Sequence, residues 1–315
     1  MLKNFQYDPK AVSRGMSALR RLKKWGPLAL LPVLAGCSEG ILAAHGPVAA
    51  EERQLLFEAL ACMLLVVVPV ILLTLTLAWW FRASNRSATY RPTWSYSGRI
   101  EFIIWIIPLL VVLFLAGLSW SGSHELDPYK AIQSNKKPLA VEVVSMDWKW
   151  LFIYPEQGIA TVNELVIPTG RPVNFKLTSA TVMNSFFIPG LAGQIYTMAG
   201  MQTRLSVEAD DAGAYRGMSA QFSGDGFSDM RFNAIAMNDG QFDAWVEHVR
   251  SNAIGSLNND VFDLLARTHN VQSKVYYSQV EGNVFEHALS MHRAHPAGSA
   301  MPGMAMSNLR EKVGP

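Results

Sequence analysis

Seven histidines and two cysteines supply all the imidazole and thiol chemistry in this 315-residue chain, and they are unevenly placed. The cysteines are Cys37 and Cys62; the histidines are His45, His124, His248, His269, His287, His292 and His295. Electron-transfer copper is held by soft, strongly bound cysteine sulfur and imidazole nitrogen. Between Glu125 and Glu247 the sequence has neither. Two cysteines far apart, each in or beside an apolar stretch, give neither a disulfide framework nor a CxxC pair. Met291, His292, His295, Met301, Met304 and Met306 offer further soft donors. Scattered singly on a stretch bearing Pro and Gly, they read more simply as a disordered tail than as a copper site. No Ser/His/Asp set, glycine-rich phosphate loop or paired-carboxylate spacing stands out. Glu101 is the candidate for proton chemistry. It stands at the mouth of an apolar run, where an ionisable group is costly enough to suggest a function. The competing reading is a solvated carboxylate favoured by the dipole at a helix start.

The elements that must position these residues divide into an apolar half and an alternating half. Residues 1–36 carry Arg20, Arg21, Lys23 and Lys24 ahead of a short apolar run ending in Leu34-Ala35-Gly36-Cys37. This reads as a secretory signal closed by a lipobox-like motif, so that Cys37 becomes a lipidated mature N-terminus. An apolar run of about ten residues cannot cross a hydrocarbon core that needs about twenty. Two longer runs can: Ala59 to Phe81, with Thr74 and Thr76 its polar residues, and Phe102 to Trp120, free of charge. Pro69 and Pro108 inside them free backbone carbonyls that are best tolerated beside other protein. The loop between the runs carries Arg82, Arg86, Arg91 and Arg99 and no acid. The positive-inside rule therefore puts that loop in the cytoplasm, with Cys37 and everything after Trp120 outside.

From Leu139 the pattern changes to short alternating stretches separated by Pro and Gly. Strands are predicted at Leu139–Val144, Leu165–Pro168, Val173–Leu177, Ser185–Ile188, Thr203–Val207 and Phe232–Ala236. Many short strands at regular spacing favour a β-sandwich or Greek-key barrel. From Gln241 the spacing becomes helical. The expected organisation is a signal peptide at 1–36, two membrane helices within 37–120, an outer β domain at 121–240, a helical extension at 241–296 and a disordered tail from 297. A net charge of +2 without a basic stripe argues against a nucleic-acid partner.

Three segments carry a family resemblance: Arg99 to Pro108 (RIEFIIWIIP), Val144 to Pro155 (VSMDWKWLFIYP) and Val182 to Pro189 (VMNSFFIP). With the two spans they resemble subunit II of the haem-copper respiratory oxidases, whose outer domain is cupredoxin-like. Members with a dinuclear copper centre have histidine where this chain has Asn184. Along the later loop the resemblance aligns Met218 and Phe222 with the two cysteine ligands, Ala220 with the glutamate and Phe227 with the histidine, leaving Met230 as the one match. That substitution pattern is similar to the quinol-oxidising, cytochrome bo-type branch, in which electrons come from ubiquinol. The resemblance implies no cofactor in this chain, with haems and copper in subunit I. It implies subunit I, the smaller subunits and inner-membrane lipids as partners, and it assigns Glu101 to the mouth of a proton pathway. Met218, Phe222 and Phe227 are expected to fill the space of the copper pair, and Trp148 and Trp150 to be core or interface aromatics.

Overall fold

The computed structural model describes residues 40–89, 91–268 and 273–293. The expected signal peptide at 1–36, the expected lipidation site Cys37, His269, His295 and the expected tail from 297 lie outside them. The described residues open on a short 3-10 turn, Gly40–Leu42. The remainder begins with two long helices, α1 (Pro47–Trp80) and α2 (Gly98–Glu125). Both are long and apolar enough to cross a membrane. α1 extends the apolar run predicted from sequence at its N-terminal end and stops one residue short of Phe81, whereas α2 extends its run at both ends, because hydrophobicity marks the part that matches lipid and not the hydrogen-bonded helix as a whole. Pro69 and Pro108 sit inside α1 and α2.

The strands build two layers. Sheet A has six strands: β1 (Leu139–Met146), β2 (Lys149–Tyr154), β3 (Ile159–Val162), β5 (Val173–Ser179), β8 (Thr203–Val207) and β12 (Val275–Tyr277), in the order β12-β3-β2-β1-β5-β8. Sheet B has five: β4 (Glu164–Pro168), β6 (Asn184–Ile188), β7 (Ala192–Thr197), β9 (Gly213–Ser219) and β10 (Arg231–Met237), in the order β4-β10-β9-β6-β7. Pairing is antiparallel except for β1 with β5 and β4 with β10, which are parallel. The crossing connections make a Greek-key sandwich and not a meander. Trp150, Phe152, Phe175, Phe186 and Phe232 interleave between the sheets, with Phe186 and Phe232 stacked at 5.3 Å and 12°. Their burial is the main stabilising term, about 1.5–3 kcal/mol for each fully buried side chain of this kind. Tyr154 joins the layers: its buried hydroxyl donates to the Val166 carbonyl at 3.0 Å and accepts from the Val166 amide at 2.9 Å. Burial holds that phenol well above its usual pKa.

After sheet B come α3 (Asp239–Ser251), β11 (Ser256–Leu257), α4 (Asn259–Arg267), β12, β13 (Gln279–Val280) and α5 (Val284–Arg293). Asn238 and Gln241 form a capping box that starts α3. The extension is thus not helical throughout. Its β12 pairs with β3 and completes the edge of sheet A, while β11 and β13 form a separate two-stranded ladder. Met291 belongs to α5 and packs on a second apolar cluster built around Phe262, Tyr277 and Phe285, and not to an extended tail.

Candidate functional site

The loop joining β9 to β10, residues 220–230, meets the start of β6 at one end of the sandwich. It is the region where sequence predicts the remains of a metal site. Asn184 opens β6 and is fully buried, and both ends of its amide are engaged within the chain. Its Nδ2 donates to the Val182 carbonyl at 3.2 Å, and its Oδ1 accepts from the Ser219 hydroxyl at 3.2 Å. Ala220 is tied to β6 by its amide, which donates to the Ser185 carbonyl at 3.0 Å. Met218 pairs with Phe187 on β6 and with Arg231 on β10 and is half-buried. Met230 is 1% exposed and belongs to the aromatic core.

The expectation that Met218, Phe222 and Phe227 fill this region needs correcting at Phe222, while Met218 and Phe227 are half-buried. Phe222 is 72% exposed and touches Phe227 edge-on, with ring centroids 5.7 Å apart. Trp148 covers the inner surface of the loop. It occupies the two-residue turn between β1 and β2, and its indole lies directly on Gly224 and Gly226. A Cβ built at Gly226 would fall 2.3 Å from the Trp148 ring, so the loop needs glycine there for contact and not for flexibility. With the inner surface taken, Phe222 turns outward. Trp148 itself holds φ 59°, a left-handed conformation that costs a bulky residue about 1–3 kcal/mol and persists only where surroundings enforce it. Trp150 is wholly buried, as the core reading of these aromatics requires.

This end of the domain does not fit a thiolate-bridged copper pair. Among the described residues there is no cluster of three His, Cys, Asp or Glu side chains able to hold a metal. The amide at Asn184 is already satisfied internally, and a thioether cannot replace a bridging thiolate.

The remaining predicted residue lies elsewhere. Glu101 sits in the first turn of α2, exposed, at the opposite end of that helix from the β domain. Its amide donates to the Ser97 carbonyl at 3.0 Å, an ordinary helix-start bond. The structure therefore separates the two predicted sites by the whole length of α2.

Residues 116–237 match the family described as cytochrome c oxidase subunit II, periplasmic domain. The chain is 46% identical over 272 residues to the cytochrome bo(3) ubiquinol oxidase subunit 2 of Pseudomonas aeruginosa, covering 86% of this chain and 82% of that protein. It is 48% identical over 269 residues to the ubiquinol oxidase subunit 2 of Acetobacter aceti, covering 85% and 87%. A quinol oxidase subunit 2 from Bacillus spizizenii is 36% identical over 265 residues, covering 82% of each chain. The chain belongs to the ubiquinol oxidase subunit 2 family.

In this subunit 2 the cupredoxin-like sandwich is joined to its helices by specific polar contacts. The His45 amide donates to the Gly190 carbonyl and the Asp210 amide to the His45 carbonyl, each at 2.8 Å. One turn into α1, a Cβ at Gly193 would collide with the Glu52 carboxylate, so β7 and α1 approach closely. Two other features of the subunit escaped sequence reasoning. Lys149 is wholly buried in β2, its ammonium donating to the Thr268 carbonyl at 2.5 Å and the Asp147 carbonyl at 3.4 Å. Burial lowers its pKa to about 8, against a smaller opposing effect from Asp147. Glu164 is buried at the start of β4 and receives Lys274 and, at 2.5 Å, the Tyr276 hydroxyl. A lysine between two tryptophans in a strand run was the visible signal for the first; the second needed the fold, since its partners are 110 and 112 residues away.

Proposed function

We propose that this chain is the non-redox subunit II of a terminal ubiquinol oxidase that couples quinol oxidation and oxygen reduction to proton translocation. It braces subunit I, which carries the haems and the copper, and electrons pass from ubiquinol without crossing the outer domain. The observation that carries this reading is the ligand-loop end of the sandwich, where Asn184 is closed internally by Val182 and Ser219 and Trp148 covers the loop. Such an end supports shape and contact, not electron transfer. Cys37 carries the lipid in the mature chain, and the two helices place the β domain on the outer face of the inner membrane.

Glu101, exposed in the first turn of α2, is the proton-uptake carboxylate in this reading. Glu101→Ala and Glu101→Gln should both slow oxygen reduction while leaving assembly intact, because they remove a proton acceptor and no packing. The experiment for the whole reading is affinity purification of the tagged full chain from membranes. It should recover a haem-bearing multi-span partner in equal amount, with quinol-driven oxygen uptake and no change in the near-infrared spectrum on adding copper. Recovery without haem, or new near-infrared bands that raise turnover, overturns it.

A further inference from the structure

We propose that the segment between α1 and α2 is a binding surface for anionic phospholipid headgroups, with Arg82 as its fixed contact. The inference rests on the reading of α1 and α2 as membrane spans. The apolar run of α1 closes with Trp79, Trp80 and Phe81, and Trp94 and Tyr96 precede α2; all five rings are exposed. Amphipathic rings settle at headgroup level. The chain between them therefore lies along a phosphate layer.

Its charge fits that position. From Ala59 to Ile100 the sequence has Arg82, Arg86, Arg91 and Arg99 and no aspartate or glutamate. Among the described residues no carboxylate pairs with any of the four. The β domain treats several of its cations differently: Lys137 and Arg171 reach Glu156, Lys176 reaches Glu142 and Lys274 reaches Glu164. Three arginines in the connecting segment and Arg99 in the first turn of α2, none with a carboxylate partner among the described residues, call for counter-charge from outside the chain, and a leaflet rich in anionic lipid provides it.

Arg82 adds geometry to charge. Its Nη1 donates to the Trp79 carbonyl at 2.9 Å, its Nε donates to the Ser84 hydroxyl at 3.0 Å, and its guanidinium carbon lies 4.9 Å from the centre of the Trp79 ring. The Trp79 carbonyl belongs to the last turn of α1, where carbonyls lack helical partners. Asn85 closes the next one, its Nδ2 donating to the Trp80 carbonyl at 2.6 Å while its own amide donates to the Arg82 carbonyl at 2.9 Å. The turn is thereby folded under the helix end. Three contacts orient the guanidinium and leave its Nη2 without a bond to the described residues. A planar donor held this way loses little further freedom when a phosphate oxygen binds.

The test uses the full-length chain in nanodiscs of phosphatidylcholine with increasing phosphatidylglycerol, with retained lipids counted by native mass spectrometry. Phosphatidylglycerol should be retained in preference, and the preference should weaken with salt. Arg82→Gln should lower it roughly fivefold, the effect of about one near-surface cation. Arg82→Lys, which keeps the charge and loses the planar hold, should restore only part. Replacing all four arginines with glutamine should abolish it. Carbonate extraction separates the two levels of the claim: release of the wild-type chain from membranes would sink the membrane-span reading. Retention in the membrane, with the four-glutamine variant keeping the wild-type lipid preference, would sink this proposal alone. Displacement of the lipid by inorganic phosphate would mark a free-anion site and also overturn it, as would cross-linking of Arg82 in the purified complex to an acidic protein surface with no lipid retained.

Discussion

The β domain and the two long helices solve opposite problems with similar residues. In the sandwich, Trp150, Phe152, Phe186 and Leu205 are buried by other parts of the same chain. Along α1 and α2, side chains as apolar as Leu72, Leu73, Phe102 and Leu113 are more than half exposed, and Ala49 and Gly122 are the buried positions of these helices. One region is complete by itself; the other is completed by what surrounds it. Apolar content thus says little about stability until the surrounding solvent is named, since burial contributes to folding only when water is the alternative.

The sharpest way to break the comparison is at the sandwich core. Trp150→Ala removes a ring that packs edge-on against Phe186 and Phe232 at 5.3 and 5.7 Å. It should cost about 3–5 kcal/mol, read by denaturant unfolding followed through the β signal. Leu72→Ala in α1, by contrast, should leave that same transition unmoved. If both changes cost alike, the division is wrong.

A smaller effect is expected where the sandwich meets its C-terminal extension. Glu164→Ala leaves Lys274 and the Tyr276 hydroxyl without their shared buried acceptor. A loss of about 2 kcal/mol is expected, below the usual cost of breaking a buried pair because Lys274 is nearly half exposed. Hydrogen exchange should rise first along β12 and β3. Uniform loss of protection across both sheets would mean the pair serves the whole core.

Lys149 gives a pH signature. Its folded pKa is about 8 against an ordinary value of 10.5. Below pH 8 both folded and unfolded chains carry the proton, and the buried charge weighs against folding. Between about 8 and 10.5 the folded chain has released the proton while the unfolded chain still holds it, so stability rises with pH across that window. Lys149→Met should flatten this slope in unfolding curves taken at several pH values. A slope unchanged in the variant assigns it to other groups.

The smallest expected change in the chain's own stability separates two glycines of α2. A Cβ at Gly122 would lie 2.7 Å from Leu55 of α1, whereas one at Gly117 would meet nothing within 4 Å. Gly122→Leu should therefore disturb the α1–α2 contact. Gly117→Leu should leave the isolated chain intact yet weaken recovery of the haem-bearing subunit, because close helix approach in lipid relies on small residues. Equal recovery with Gly117→Leu would place the partner on another face.

Much of this was legible in the sequence because the strongest signals are local. Hydrophobic runs gave the two helices, and alternation gave Thr203–Val207 with its observed bounds and Val173–Leu177 and Phe232–Ala236 with small errors at their ends. Strand β2 was missed as a strand because Lys149 to Tyr154 is buried on both faces and so does not alternate. β9, Gly213 to Ser219, was missed for the reverse reason: it carries glycines and few apolar residues, and one of them, Gly217, gives way to the Phe232 ring lying on it. The short strands of the extension have no periodicity to read and exist through their partners. At the ligand loop, sequence gave the identities of Asn184, Met218, Ala220, Phe222 and Phe227 but not their directions. Whether an aromatic fills a space or leaves it depends on what already occupies it, here Trp148.

The pairing of β12 with β3 orders the events of synthesis. Ala160 to Val162 are made long before Tyr277 to Val275, against which they lie in the finished sheet. Until Val275 to Tyr277 are made, the edge of β3 presents a row of unpaired amides and carbonyls, a ready template for a strand of another molecule. A late-made stretch of the chain therefore acts as a closing seam. A nascent or prematurely terminated chain that stops before Val275 would keep that sheet edge open and adhesive.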